Sequence, residues 1–449
     1  MKKEVDMLHG PLLGPLVRFA LPLAFTAVLQ QLFNTADVFV LGQFVGSEAI
    51  AAVGNDAPVI AIFVTLFVGI SLGANVVIAK CIGAHRLRET MDAVHTAFLL
   101  ALLLGALLTI VGELLSDWML AALGVPEEVM AGAERYLRIY MLGMPAIGVY
   151  NFVAAIFRSR GNTQTPLIAL AVASFLNIAL NLLAVEVLDM GIGGVAAATA
   201  IANYVAAGLL VRALCAAHGT IHLELGALRL TGIYAREILR IGLPAGVQGM
   251  VFCLSNLVIQ AAINSLGPTV MAASSAAFLI EINIYCFMMS FGQAVTTFVG
   301  QNYGAGQLAR CHQVLLAGAK LMCTFTIIVP AIACTFAAPL VGLVDPHPGV
   351  IAVGCERVYF VVGFYFLDGL VELFSGALRG YGCSLPPAVI SLVAICGVRI
   401  VWVYTAFAAW PAFRVIMYAY PLSWAPTVVL LMLMYRFYRK NLKVVHTLG

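Results

Sequence analysis

The chain has 449 residues, of which 62% are hydrophobic and only 10% charged, with a formal net charge of +3. A soluble domain carries about 25% charged residues, so this composition excludes a soluble enzyme, a nucleic-acid binder and a disordered protein. The mean hydropathy of +1.01 points to a lipid bilayer as the solvent.

The first apolar run, Phe19 to Leu41, follows Lys2, Lys3 and Arg18. It is long, holds Asn34, Asp37 and two glutamines, and lacks a small-residue cleavage site. It therefore reads as a retained first span and not as a signal peptide. Breaks at charged, glycine and proline clusters then divide the chain into twelve segments, at 18–41, 51–79, 91–115, 133–157, 166–187, 191–215, 238–263, 271–300, 313–339, 350–376, 386–409 and 414–436. A helical crossing takes about 20 apolar residues, whereas barrel strands alternate over about ten. These segments are continuously apolar, so they are expected to be helices. The fold class is all-α integral membrane.

In the first span Thr26, Gln30, Asn34 and Asp37 fall at spacings of four, four and three, which puts them on one helical face. An ionisable side chain in a span costs about 2.5–3.5 kcal/mol on insertion scales. Asp37 has no lysine or arginine near it in the spans of that half. A carboxylate in low dielectric without a cation has its ionised form disfavoured, which makes Asp37 a candidate proton carrier; a protonated acid used only for helix packing is the other reading. Asn177 and Asn181 share a face of the fifth span, and Thr199 and Asn203 share one of the sixth. Such side chains can orient a carboxylate or ligate a hard cation, and they also serve as ordinary helix–helix glue.

The second half differs. Asn256, Gln260 and Asn264 form a stripe on the seventh span, Glu281 lies in the eighth, Asp368 and Glu372 share a face of the tenth, and Arg399 lies in the eleventh. Arg399 can neutralise one acid as a structural ion pair. The remaining acids must then protonate, meet water or bind cationic substrate. The cysteines show no Cys-x-x-Cys pair and no matching histidine spacing, so no metal site is expected. No Ser/His/Asp arrangement suggests a catalytic centre.

Loop charges set the orientation. A cytoplasmic amino terminus puts nineteen lysines and arginines on that side, Lys2, Lys3 and Lys443 among them. The other side holds only Arg135, Arg138, Arg357 and Arg414. Both termini are thus expected in the cytoplasm. The halves also resemble each other at an offset of about 220 residues: Ala20-Leu21-Pro22 with Gly242-Leu243-Pro244, Gly83-Ala84 with Gly304-Ala305, and Arg160-Gly161 with Arg379-Gly380. Six spans per half make a parallel repeat about a pseudo-twofold axis along the membrane normal, with a central cleft. The expected domains are an amino-terminal lobe at 1–215, a cytoplasmic linker at 216–237 and a carboxy-terminal lobe at 238–449.

The segments NTADVFVLGQFVG (34–46), VGQNYGAG (299–306) and GALRGYG (376–382) resemble motifs of the multidrug and toxic compound extrusion (MATE) family. The resemblance covers essentially the whole chain. It implies two six-helix bundles and exchange of organic, often cationic, compounds for protons or sodium ions. It implies an ion-coupling site at Asp37, Asn177 and Thr199, with Asn181 standing where the family often has an aspartate, and it gives Asp368 and Glu281 matches to second-lobe carboxylates of some branches. The expected function is therefore a secondary-active antiporter in a bacterial inner membrane, exporting amphipathic drug-like compounds. Gln30, Asn34, Gln260, Glu281, Asp368, Glu372 and Arg399 are the candidates for substrate and second-lobe charge. No cofactor is expected; the coupling ion is expected to be a proton, with sodium as the alternative. Small amphipathic molecules and membrane lipids are the expected partners, nucleic acid is not, and the chain is expected to act as a monomer. A flippase for a lipid-linked precursor and a membrane-embedded enzyme are the rival readings.

Overall fold

The structure is a computed structural model and describes residues 4–217 and 219–447, with side chains through residue 442. Lys2, Lys3 and the side chain of Lys443, which entered the orientation count, lie outside the described residues. Among the described residues every regular element is helical. The first series is α1 (Leu13–Phe44), α2 (Ser47–Gly83), α3 (Leu87–Ala122), α4 (Glu127–Met141), α5 (Met144–Ser159), α6 (Gln164–Leu182) and α7 (Gly191–Cys215). The second is α8 (Gly232–Asn264), α9 (Pro268–Gly304), α10 (Leu308–Thr335), α11 (Ala337–Gly342), α12 (Pro348–Val361), α13 (Tyr365–Gly380), α14 (Leu385–Ser391), α15 (Val398–Trp402) and α16 (Phe413–Thr447). π-helical turns continue α6 at Leu183–Val187 and flank α15 at Leu392–Gly397 and Val403–Phe407.

Eleven stretches are long and apolar enough to cross a membrane among the described residues, and α4 with α5 makes a twelfth if the pair is one span bent by 46°. The bend has a local cause. Leu142 caps the end of α4, Gly143 caps the start of α5 and Pro145 lies in its first turn, where a proline needs no backbone hydrogen bond.

The repeat is sharper in the helix starts than in the motifs. Helices α2 and α9 begin at 47 and 268, α3 and α10 at 87 and 308, α4 and α12 at 127 and 348, and α6 and α14 at 164 and 385, a constant offset of 221. This corrects one pairing. Gly161 (φ 91°) corresponds to Gly382 (φ 82°) and not to Gly380, because both close the same left-handed turn between spans.

Two compact units emerge: residues 1–7 with 21–250, and residues 8–20 with 251–449. The boundary therefore falls inside α8, after the linker. In the first unit α2 and the start of α8 meet backbone to backbone. A Cβ on Gly69 would lie 2.2 Å from Gly246 Cα, and one on Gly73 would lie 2.2 Å from the Ile238 carbonyl oxygen. Lipid tails are as apolar as leucine, so membrane helices associate through such close van der Waals packing of small residues. Gly69→Ala should cost about 1–3 kcal/mol by overpacking, read as lowered thermal stability in detergent. Gly54→Ala, which meets nothing within 4 Å, is the control; equal stability of the two variants would contradict this contact.

The linker docks on the first unit. Ile221 and Leu223 are buried, the Glu224 amide donates to His95 Nε2 at 3.3 Å, the Thr231 amide donates to Thr96 Oγ1 at 3.1 Å, and Arg229 pairs with Asp92. In the second unit α9 and α13 approach at Gly292 and Gly376, where the Thr296 hydroxyl lies 3.0 Å from both glycine carbonyl oxygens. Large apolar side chains such as Leu114 (77% exposed) and Phe175 (76%) stand outward. A water-soluble surface seldom carries them in such numbers; a lipid-facing one does.

Candidate functional site

In the first unit four of the polar side chains close into a ring. Asn181 Nδ2 donates to Asp37 Oδ1 at 2.6 Å, and the Thr199 hydroxyl donates to Asp37 Oδ2 at 2.7 Å. Asn181 Nδ2 also donates to Asn177 Oδ1, and Asn177 Nδ2 donates to Thr199 Oγ1, both at 3.2 Å. Asn203 supports the ring from outside by donating to the Thr199 carbonyl oxygen at 2.9 Å. Asp37 is 3% exposed, and Asn177, Asn181 and Thr199 are buried. The sequence explains the convergence: Asn177 and Asn181 are one turn apart on α6, so both reach the same neighbour across the helix–helix contact.

The chemistry follows from the donor inventory. Each oxygen of Asp37 already accepts one hydrogen bond, and among the described residues no lysine or arginine pairs with it. The ring uses nearly all its own acceptors; the buried oxygen left without a partner is Asn181 Oδ1. Turning that amide would present an acceptor to a proton on Asp37. Of the other residues on the first-span face, Thr26 donates to its own helix at the Pro22 carbonyl oxygen, Gln30 is half-buried and Asn34 is exposed. None of the three enters the ring.

The second unit does not repeat this arrangement. Glu281 on α9 is held by Arg357 on α12 in a bidentate pair, Nε to Oε1 at 2.7 Å and Nη2 to Oε2 at 2.9 Å. A third bond runs from Arg357 to Ser274. Both charged side chains are at most 5% exposed. Arg357 therefore corrects the loop count, in which it stood on the side opposite the termini. It is the tenth residue of α12, inside a span apolar enough to absorb a single charge. The Glu281 charge is thus compensated, by a residue other than Arg399.

Arg399 takes no carboxylate among the described residues. Its guanidinium donates to Ser423 Oγ at 3.4 Å and Asn256 Oδ1 at 3.3 Å, and it lies over Tyr420, 4.5 Å from the ring centre. Asp368 is buried, and half-buried Glu372 accepts from the Tyr285 hydroxyl at 3.3 Å. Gln260 is occupied locally, donating to Asn264 Oδ1 at 2.8 Å. The polar stripe on the seventh span therefore satisfies itself in part. No cluster of metal-ligating side chains occurs among the described residues.

One buried acid has no counterpart in the polar-face pattern. Asp56 on α2 is 0% exposed, yet its neighbours at three and four positions are Ala52, Val53, Val59 and Ile60. A count of charges within each span would have found it where periodicity does not.

A model of the MatE family matches residues 22–183 and again residues 244–405. The chain belongs to the MATE family. Among curated proteins it is 29% identical over 394 residues to "Probable multidrug resistance protein NorM" of Thermotoga maritima, covering 86% of this chain and 83% of that one. It is 21% identical over 373 residues to the multidrug export protein MepA of Staphylococcus aureus, covering 83% and 82%. Among solved structures, an outward-facing MATE transporter of the MOP superfamily superposes with a TM-score of 0.90 at 22% identity over 99% of each chain. MATE proteins are transporters, so the protein is a multi-pass membrane transporter and not an enzyme, and the reading as a membrane-embedded enzyme falls. The double match of one family model also states the internal repeat directly: the MATE fold consists of two copies of one helical series.

Proposed function

We propose that this MATE protein is a proton-coupled antiporter of a bacterial inner membrane that exports amphipathic, often cationic, organic compounds by alternating access. In this reading both termini face the cytoplasm and the chain works as a monomer among membrane lipids. The observation that carries it is the Asp37 ring: a buried carboxylate held by two neutral donors, with no cation among the described residues. Such a group is costly when charged and cheap when protonated. Two conformations that differ in its access to water will differ in proton occupancy, and proton binding then biases the equilibrium between them. The names of the relatives, a multidrug resistance protein and a multidrug export protein, support the drug-like substrate class. A flippase of anionic lipid precursors fits less well, since the buried arginines Arg357 and Arg399 are both engaged within their own unit.

A proton suits this ring better than sodium. A hard cation needs about six oxygen ligands and compensating charge, whereas Asn177 and Thr199 already spend oxygens inside the ring and a single carboxylate is present. Efflux of ethidium from vesicles should therefore run on a proton gradient alone and stay at background on a sodium gradient alone. Transport on sodium alone, unchanged when the proton gradient is collapsed, would overturn the assignment.

A further inference from the structure

Asp56 lies within α2, nine residues after its start at Ser47. It is 0% exposed, and neither carboxylate oxygen has a hydrogen-bond partner among the described residues. Helices α3, α4 and α5 pack against α2, and so do the end of α1, at Gly42 against Ile50, and the start of α8. The titratable group they bring near it is Tyr136 of α4, which is in electrostatic reach of both Asp56 and Asp37 and carries no charge at ordinary pH. No basic side chain acts on Asp56 from any of these helices.

The repeat sharpens the contrast. Offset by 221 residues, the equivalent of Tyr136 is Arg357, the arginine that pairs with Glu281 in the second unit. The first unit has a tyrosine at that place and leaves its α2 acid without a cation. An ionised carboxylate so placed would be buried, unpaired and without donors, which is the costliest state an acid can occupy in a membrane protein. Sodium would need several further oxygens around it, and an organic cation would need access that a fully buried group denies. A proton is the ligand whose binding removes the charge with no other group required.

From these observations we infer that Asp56 is a second proton site of the first unit, loaded alongside Asp37, so that each transport cycle moves two protons. The inference rests on the proton-antiport reading above. The two acids flank the short connection at 45–46, Asp37 near the end of α1 and Asp56 near the start of α2. In the proposed orientation this is the outer end of the unit, where protons enter. Asp56 takes its proton when that end meets water and carries it in the buried arrangement.

The test is the coupling ratio, measured on purified protein in liposomes with tetraphenylphosphonium as substrate. The membrane potential is clamped at zero with potassium and valinomycin, and a pH step of about one unit is imposed. At static head two protons per monovalent cation give about 100-fold accumulation and one proton gives about 10-fold, since each coupled proton contributes one tenfold factor. The wild type should reach the higher level, Asp56→Asn the lower one, and Asp56→Glu should return to the higher. Accumulation is read as the plateau reached on raising the protein-to-lipid ratio, where passive leak of the cation and the amount of active variant no longer set it. Wild-type accumulation at the one-proton level would overturn the inference without any variant, and so would Asp56→Asn holding at the two-proton level or losing all coupled transport while still binding tetraphenylphosphonium. Wild-type protein showing no pH-driven accumulation would instead remove the antiport reading itself.

Discussion

Asp37→Asn should reduce proton-driven efflux to the level of vesicles that lack the protein, while leaving the protein folded and inserted. The amide keeps the size of the acid and one acceptor oxygen, so Thr199 or Asn181 still finds a partner. Turning the Asn181 amide, whose Oδ1 is otherwise unpartnered, satisfies the new NH2 group. Charge-assisted bonds are lost, but a charge no longer has to be buried, and the two effects oppose each other. Stability in detergent should therefore stay within about 1 kcal/mol of the parent. Function should not survive, because the variant resembles the protonated acid in both conformations, so the equilibrium that Asp37 biases no longer responds to the gradient, and a proton at Asp56 is carried only alongside one at Asp37. Full drug tolerance and gradient-driven transport by Asp37→Asn would remove Asp37 from the coupling step.

The parts of this protein that repeat along the chain are those a reader of the sequence can find. Continuous apolar runs locate the spans, because a bilayer demands about twenty such residues per crossing. The Leu-Pro pairs at 21–22 and 243–244 announce the duplication. Spacings of three and four on α6 bring Asn177 and Asn181 to one face, since they report a helix's own geometry. The breaks inside spans are harder. The segment at 133–157 reads as one run although Gly143 and Pro145 bend it by 46°, and an apolar count cannot distinguish a kinked crossing from a straight one.

Pairings between distant helices are not visible in periodicity at all. Glu281 and Arg357 are 76 residues apart, and no local rule connects them. A positive residue toward one end of a span looks, to a loop count, like one that has reached the water. The same limit hides Asp56. Its apolar neighbours on α2 form no polar face, and its isolation from cations is a property of the surrounding helices.

Arg357→Met should be among the most destabilising single substitutions in the second unit, and its effect should vanish when Glu281 is replaced as well. The two side chains exchange two hydrogen bonds at 2.7 and 2.9 Å while almost fully buried. Removing one partner leaves an uncompensated buried charge and costs about 3–5 kcal/mol, whereas replacing both by apolar groups of similar volume is often neutral. Thermal unfolding in detergent of Arg357→Met, Glu281→Leu and the double variant forms a double-mutant cycle, in which the double variant should lie close to the wild type. The pairing also separates two acids that sequence alone places together. Glu281→Gln should lower stability and affect cationic and neutral ligands equally, because its charge already belongs to Arg357. Asp368→Asn should weaken cationic ligands more than neutral ones, since Asp368 is buried and makes no carboxylate–guanidinium pair among the described residues. Binding of one cationic and one uncharged substrate to each variant tests the distinction. Selective loss of the cation in Glu281→Gln with stability unchanged would show that the Glu281 charge is directed at substrate and that the ion pair with Arg357 breaks during the cycle.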